Sequence, residues 1–297
     1  MSRNSLPRCR LTEQIKKKLC CSLIKQKPEL TSDDFNNKGR RVNDIKMNLL
    51  PSYVSLKDFE CDFCANNSNE LKDNFLAPYS SSALVVNCFA PFRCRINELA
   101  LPVRGNFNEL QFEKICPISN QSSSNSLNEP HLDVLLSGET EVIGIESKLT
   151  EYIQRRKSVK FSKECMELIP DEYIEKFFDE MHALIEERRK YEYLDAAQLI
   201  KHALGLTNIC KGEKQITLLY IYWQPEDHDC PEYACHFQKH REEIEKFKEQ
   251  VNGSKLNFHA ISYPRLWDMW SNNSQMKPWL SEHISNLKER YSIRLCD

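Results

Sequence analysis

Glycine is scarce, with seven in 297 residues. Neither GxGxxG nor GxxxxGKS/T occurs, so a phosphate cradle built from a Gly-rich loop is not expected. Long apolar runs are also lacking. The strongest lie at Leu84 to Val86 and Leu218 to Trp223, far below the ~18 residues a membrane helix needs. No apolar stretch follows Met1, Ser2, Arg3 and Asn4, so an export signal is not expected. These absences read as a soluble, cytoplasmic protein. A dominant charge is missing too, because the net charge is only −2.

Cysteine is plentiful, with thirteen residues. Without an export signal the plain reading is reduced, mostly buried thiols. The sharper one is structural zinc, at Cys61 and Cys64 with Cys20 and Cys21, or at His228, Cys230, Cys235, His236 and His240. Neither set has finger-like spacing. Charge is uneven. Residues 1–50 carry twelve Lys/Arg and five Asp/Glu, about +7, which leaves about −9 for the rest. Such a region can contact a polyanion, or can simply be a solvated helix face.

With 40% hydrophobic and 28% charged residues, a globular core is expected. Leu11, Ile15, Leu19 and Leu23 among lysines predict a basic amphipathic helix. Residues 27–80 are polar and loop-rich, and a helix is plausible near Ser80 to Asn87. Strands are predicted at 111–118, 132–136, 141–149, 215–223 and 256–263. Helices are predicted at 171–190, at 194–204 with Gly205 as C-terminal cap, at 236–252 and near the C-terminus. This order predicts an α/β fold, a mixed sheet flanked by helices. Residues 1–80 are read as a basic helical and loop region. Residues 81–297 are read as the main domain with a C-terminal helical extension.

The informative segment is EPHLDVLLSGETEVIGIESKLTEY, residues 129–152. Asp133 sits early in one strand; Glu146 and Lys148 sit two apart near the end of the next. Residues i and i+2 of a strand share a face. A hairpin would bring Asp133 alongside them. Among Val134, Leu135, Leu136, Val142, Ile143 and Ile145, unpaired charges would cost several kcal/mol. Two carboxylates suit Mg²⁺, which takes oxygen ligands and keeps several waters. A lysine beside them could orient a water or neutralise charge developing on a phosphate. That combination is what phosphodiester hydrolysis requires.

Asp133, a gap of 12 residues, then Glu146-Ser147-Lys148 resembles the D…ExK signature of the PD-(D/E)XK nucleases. Many members carry a Gln, with an aromatic four residues on, in a following helix. Here Gln198 is followed by His202. The phrases SSALVVN, LDVLL, GIESKLTEY and DAAQLIKHALGL look most like a bacterial family of candidate restriction endonucleases, over about residues 80–270. The resemblance implies a restriction-endonuclease-like core with a central mixed β-sheet of about four strands flanked by helices. It implies a metal-dependent endonuclease acting on DNA, with Mg²⁺ as cofactor and Mn²⁺ as substitute. Asp133, Glu146, Lys148 and Gln198 would be catalytic, with Asp133 and Glu146 as metal ligands. Glu113 is the candidate for the upstream acid, with Glu98 and Glu109 behind it. Gln198, His202, Arg155 and Arg156 would contact substrate. A homodimer and a cognate methyltransferase are partners such an enzyme allows. One departure is Leu132, where the motif has Pro; the nearest proline is Pro130.

Each assignment has a plainer counterpart. Asp133, Glu146 and Lys148 could be a salt-bridged trio at a strand edge. Gln154, Arg155, Arg156, Lys157, Lys160 and Lys163 could form a solvated loop beside the site. Glu151 could be an outer base or an ordinary rim charge. Tyr220, Tyr222, Trp223, Trp267 and Trp270 read as core. A nuclease-like fold that binds nucleic acid without cutting is the alternative function, and a zinc-stabilised interaction protein is a third.

Overall fold

The structure is a computed structural model, and it describes residues 6–36, 40–65, 70–118, 129–154, 160–210, 214–272 and 277–296. Five strands form one mixed sheet in the order β1 (Glu109–Ile115), β2 (His131–Ser137), β3 (Glu141–Lys148), β4 (Gln215–Tyr222), β5 (Asn257–Ser262). β1, β2 and β3 pair antiparallel, whereas β3, β4 and β5 pair parallel. The resemblance implies about four strands, and the fifth is the segment read at 256–263. β4 is buried along nearly its whole length. A strand with neighbours on both sides and helices over both faces needs such a continuous apolar run.

The helices are α1 (Arg8–Gln26), α2 (Glu60–Ala65), α3 (Ser81–Phe89), α4 (Lys163–Glu167), α5 (Glu175–Ile185), α6 (Ala196–Cys210), α7 (Ala234–Val251), α8 (Tyr263–Ser271) and α9 (Pro278–Tyr291). Helices α4 to α6 fill the connection from β3 to β4, and α7 that from β4 to β5, because parallel neighbours cannot be joined by a tight turn. Among the described residues, no single helix is long and apolar enough to cross a membrane.

The basic N-terminal helix forms as its spacing predicts. Leu11, Ile15, Leu19 and Leu23 of α1 are buried, and the helix lies along α9. Ser22 Oγ donates to the Arg290 carbonyl at 2.8 Å, and Gln26 Nε2 donates to the Asn286 carbonyl at 2.9 Å. Arg290 is fully buried and donates to the carbonyls of Leu19 and Pro78 at 2.9 and 2.6 Å. One apolar cluster runs from Leu11 to Leu295 across residue 80.

Gly205 does not cap α6. The helix continues five residues further, to Cys210. An added Cβ at Gly205 would lie 2.3 Å from the Cys116 carbonyl oxygen. The glycine therefore lets the helix pass over the end of β1. Gly253, with φ of 99°, does follow the end of α7 in the left-handed region.

The thiols differ from expectation. Cys88, Cys116, Cys165 and Cys210 are buried, but Cys9, Cys21, Cys61, Cys64 and Cys94 are exposed. Cys230 is joined to Cys296 by a disulfide. Among the described residues, no three His, Cys, Asp or Glu side chains gather to hold a metal ion. Two histidines of the alternative zinc set have other partners. His236 contacts the Tyr193 hydroxyl at 2.8 Å and the Leu6 carbonyl at 2.7 Å, and His240 contacts the Tyr220 hydroxyl at 3.0 Å. The aromatics Tyr220, Tyr222, Trp223, Trp267 and Trp270 are core, as read.

Candidate active site

Strand register sets the site. Between the paired couples Phe112–Val134 and Lys114–Leu132, Glu113 falls opposite Asp133. One step beyond the Val134–Ile145 pair, Asp133 faces Glu146. Three carboxylates thus lie in a row across β1, β2 and β3, with Lys148 two residues past the last. The backbone at Glu113 is unusual, with φ of 50°. A left-handed residue with a side chain costs roughly 1–2 kcal/mol, and such outliers cluster at functional positions.

The carboxylates respond differently to their surroundings. Burial, then the charges of Glu70 and Glu146, pushes the Glu113 carboxyl up to about 8. Burial and the neighbouring Glu146 raise Asp133 well above the ordinary range. Burial works against the charge of Glu146 as well, but Lys148 and His202 outweigh it and hold its carboxyl at about 2. Lys148 is likewise disfavoured by burial, yet Glu146 and Asp133 keep it above the usual lysine range. At neutral pH the site is built around an ionised Glu146 and a charged Lys148.

Each group has a positional anchor. The backbone N–H of Ser147 donates to Asp133 Oδ2 at 2.6 Å, and the Ser147 hydroxyl, on the opposite face, meets the Tyr263 hydroxyl at 2.8 Å. Lys148 Nζ pairs with Glu146 Oε1. His202 Nε2 lies 2.8 Å from Glu146 Oε2. His202 stands four residues after Gln198, one turn along the same face of α6. It is fully buried and touches Glu146. Gln198 is half-buried near the start of α6, where its backbone N–H donates to Asp195 Oδ1 at 3.1 Å.

A cleft of about 1710 Å³ is lined by Glu151, Gln154, Lys160, Gln198, Lys201 and His202 among others; Glu113, Asp133, Glu146 and Lys148 do not line it, and His202 is its link to Glu146. Glu151 commits Oε2 to the backbone N–H groups of Leu149 and Thr150, at 2.7 and 2.9 Å, and so closes the turn after β3. Arg155, Arg156 and Lys157 lie outside the described residues.

The two acids held behind Glu113 lie elsewhere. Glu98 accepts a hydrogen bond from Trp279 Nε1 at 2.8 Å, and Glu109 accepts one from Gln111 Nε2 at 2.8 Å on the exposed end of β1. Glu70 was not foreseen. It lies in the turn Glu70–Lys72, bound by the Ser82 hydroxyl at 2.6 Å and Asn74 Nδ2 at 2.9 Å. Its charge raises Glu113 across 43 residues of sequence. No spacing in the sequence signals that approach.

The donors suit a hard cation in kind. Mg²⁺ binds through one or two carboxylates plus water, and Asp133 and Glu146 are adjacent carboxylates whose mutual repulsion a cation would relieve.

The chain belongs to the family described as Restriction Endonuclease associating with ARP, which matches residues 23–292. That match sets its class as a restriction-endonuclease-like protein, and the sheet and helices described above are its α/β fold. No curated protein and no solved structure matches the chain.

Proposed function

We propose that the chain is a Mg²⁺-dependent endonuclease of the PD-(D/E)XK kind that hydrolyses DNA phosphodiester bonds. The observation that carries this reading is the convergence of Asp133, Glu146 and Lys148, with Lys148 paired to Glu146 and Asp133 fixed by the Ser147 N–H. Glu146 and Asp133 would hold the metal, and Glu113 extends the same row. When bound, the metal supplies positive charge to the phosphate and lowers the pKa of a bound water. Lys148 would share a proton or a charge with the water and the scissile phosphate. Gln198, on the cleft wall, would orient that water or a phosphate oxygen. Hydrolysis adds water across a P–O bond, leaving a phosphate monoester and an alcohol.

A second reading is a nuclease fold that binds nucleic acid without cutting. Both oxygens of Glu146 are already engaged, and among the described residues no three donors converge. Plasmid cleavage with Mg²⁺ or Mn²⁺ separates the two. Cutting by wild type, lost in Glu146→Ala and in EDTA, supports the nuclease. Binding that is equal with and without EDTA, with no nicked product in Mg²⁺ or Mn²⁺, supports the binder.

A further inference from the structure

Glu146 has one partner on its own strand and one that arrives from far along the chain. Lys148 is two residues on, so it travels with β3. His202 comes from the second turn of α6 and sets Nε2 2.8 Å from Glu146 Oε2. Two glycines bring α6 that close. Gly144 shares the face of Glu146 on β3, and a Cβ there would lie 2.7 Å from Leu206 Cδ1. Leu206 stands four residues after His202, one turn along the same face of α6. The missing side chain at 144 therefore seats Leu206 against the strand and puts His202 over the next residue on that face, which is Glu146. Gly205 serves at the other contact, where α6 passes the Cys116 carbonyl.

Packing alone does not account for a histidine at this place. The ring is fully buried, and among the described residues Nδ1 has no hydrogen-bond partner. A bare buried nitrogen costs about 1–3 kcal/mol, which an apolar side chain would avoid. Glu146 is the polar group that the ring meets. A carboxylate that is to bind a metal gains from outer partners that fix its orientation. Each ionised oxygen can accept at two lone pairs. Lys148 takes one on Oε1 and His202 one on Oε2, which fixes the plane of the group and leaves lone pairs for a cation. We infer that His202 is a positioning residue: donating from Nε2, it holds Glu146 in the orientation that meets the metal, and it acts through Glu146 and not on DNA. This rests on the nuclease reading above and adds to it a residue that works through the metal ligand.

The test titrates Mn²⁺ into wild type, His202→Gln, His202→Asn and His202→Leu without DNA, reading the free ion by electron paramagnetic resonance. The Mn²⁺ needed for half-maximal plasmid cleavage and the KM for plasmid are measured beside it. Glutamine carries an amide N–H to about the place of the imidazole Nε2. Asparagine, one methylene shorter, stops short of Glu146, and leucine has no donor. Losing an outer partner of a metal ligand typically weakens metal binding about 10- to 100-fold. His202→Asn and His202→Leu should therefore bind Mn²⁺ at least about tenfold more weakly and need about tenfold more of it for cleavage, with the KM for plasmid unchanged. His202→Gln should stay close to wild type. The two amides decide the matter if the leucine variant does not fold. Equal Mn²⁺ affinity in the glutamine and asparagine variants overturns the inference. So does tighter binding without the histidine, which would make it a competitor of the metal. A raised KM for plasmid at unchanged Mn²⁺ affinity would make it a substrate contact, and loss of the fold in all three variants would make it structural; both overturn the inference too. In each of these cases cutting by wild type keeps the nuclease reading, whereas a wild type that neither binds Mn²⁺ nor cuts with it removes both.

Discussion

Lys148 and His202 hold the two oxygens of a single buried carboxylate: Lys148 Nζ pairs with Glu146 Oε1, and His202 Nε2 lies 2.8 Å from Oε2. The two come from different elements, the end of β3 and the second turn of α6. Glu146 is 1% exposed, so the stability of this corner depends on its partners as much as any chemistry does.

That dependence is measurable. Lys148→Met leaves Glu146 Oε1 without its cation, and removing one partner of a buried pair typically costs 3–5 kcal/mol. About 3 kcal/mol of destabilisation is expected in urea unfolding. The double variant Lys148→Met/Glu146→Gln should recover much of it. Additive losses in the double variant would mean that the pair is not coupled.

Glu113 offers a backbone test. With φ of 50°, glycine should be favoured over alanine there by about 1 kcal/mol. At an ordinary strand position the order is reversed. Thermal melts of Glu113→Gly and Glu113→Ala compare backbones with the carboxylate absent from both.

Gly205 reverses a different rule. Alanine is the better helix former by about 1 kcal/mol, yet its Cβ at this point of α6 would press on the Cys116 carbonyl at 2.3 Å. Gly205→Ala should therefore destabilise by about 1–3 kcal/mol, the usual cost of overpacking. A more stable variant in denaturant titration would show that β1 and α6 can separate at no cost.

His283 predicts a pH dependence of stability. It is fully buried, and burial lowers its imidazole from 6.5 to about 4. Below 6.5 the unfolded chain takes up a proton that the folded chain refuses until about 4, so stability falls as pH drops through that window and levels off below it. The full loss is about 3 kcal/mol. His283→Gln should flatten that part of the stability–pH curve, which urea titrations from pH 7 to 4 would record. An unchanged slope would place the acid sensitivity elsewhere.

The two helix readings near α6 show where periodicity stops being informative. Apolar spacing marks the start of that helix, but a glycine at 205 predicts an end five residues before the observed one at Cys210. The glycine is needed for a close approach to Cys116, a long-range fact with no local signature. The disulfide between Cys230 and Cys296, 66 residues apart, is equally silent in spacing. Glu70 is a third case, since a polar turn far upstream carries no mark of the acid it will face.

The sequence by itself determined the five strands, the amphipathic face of α1, and the two-residue spacing that puts Glu146 and Lys148 on one face. These follow from local periods of two and 3.6 residues, which burial enforces. Only the tertiary structure decided that Glu113, Asp133 and Glu146 line up, that His202 turns to Glu146, and that α1 packs along α9. Those depend on strand register and helix packing between segments far apart in the chain, where the energy comes from surfaces that meet only once the fold has closed.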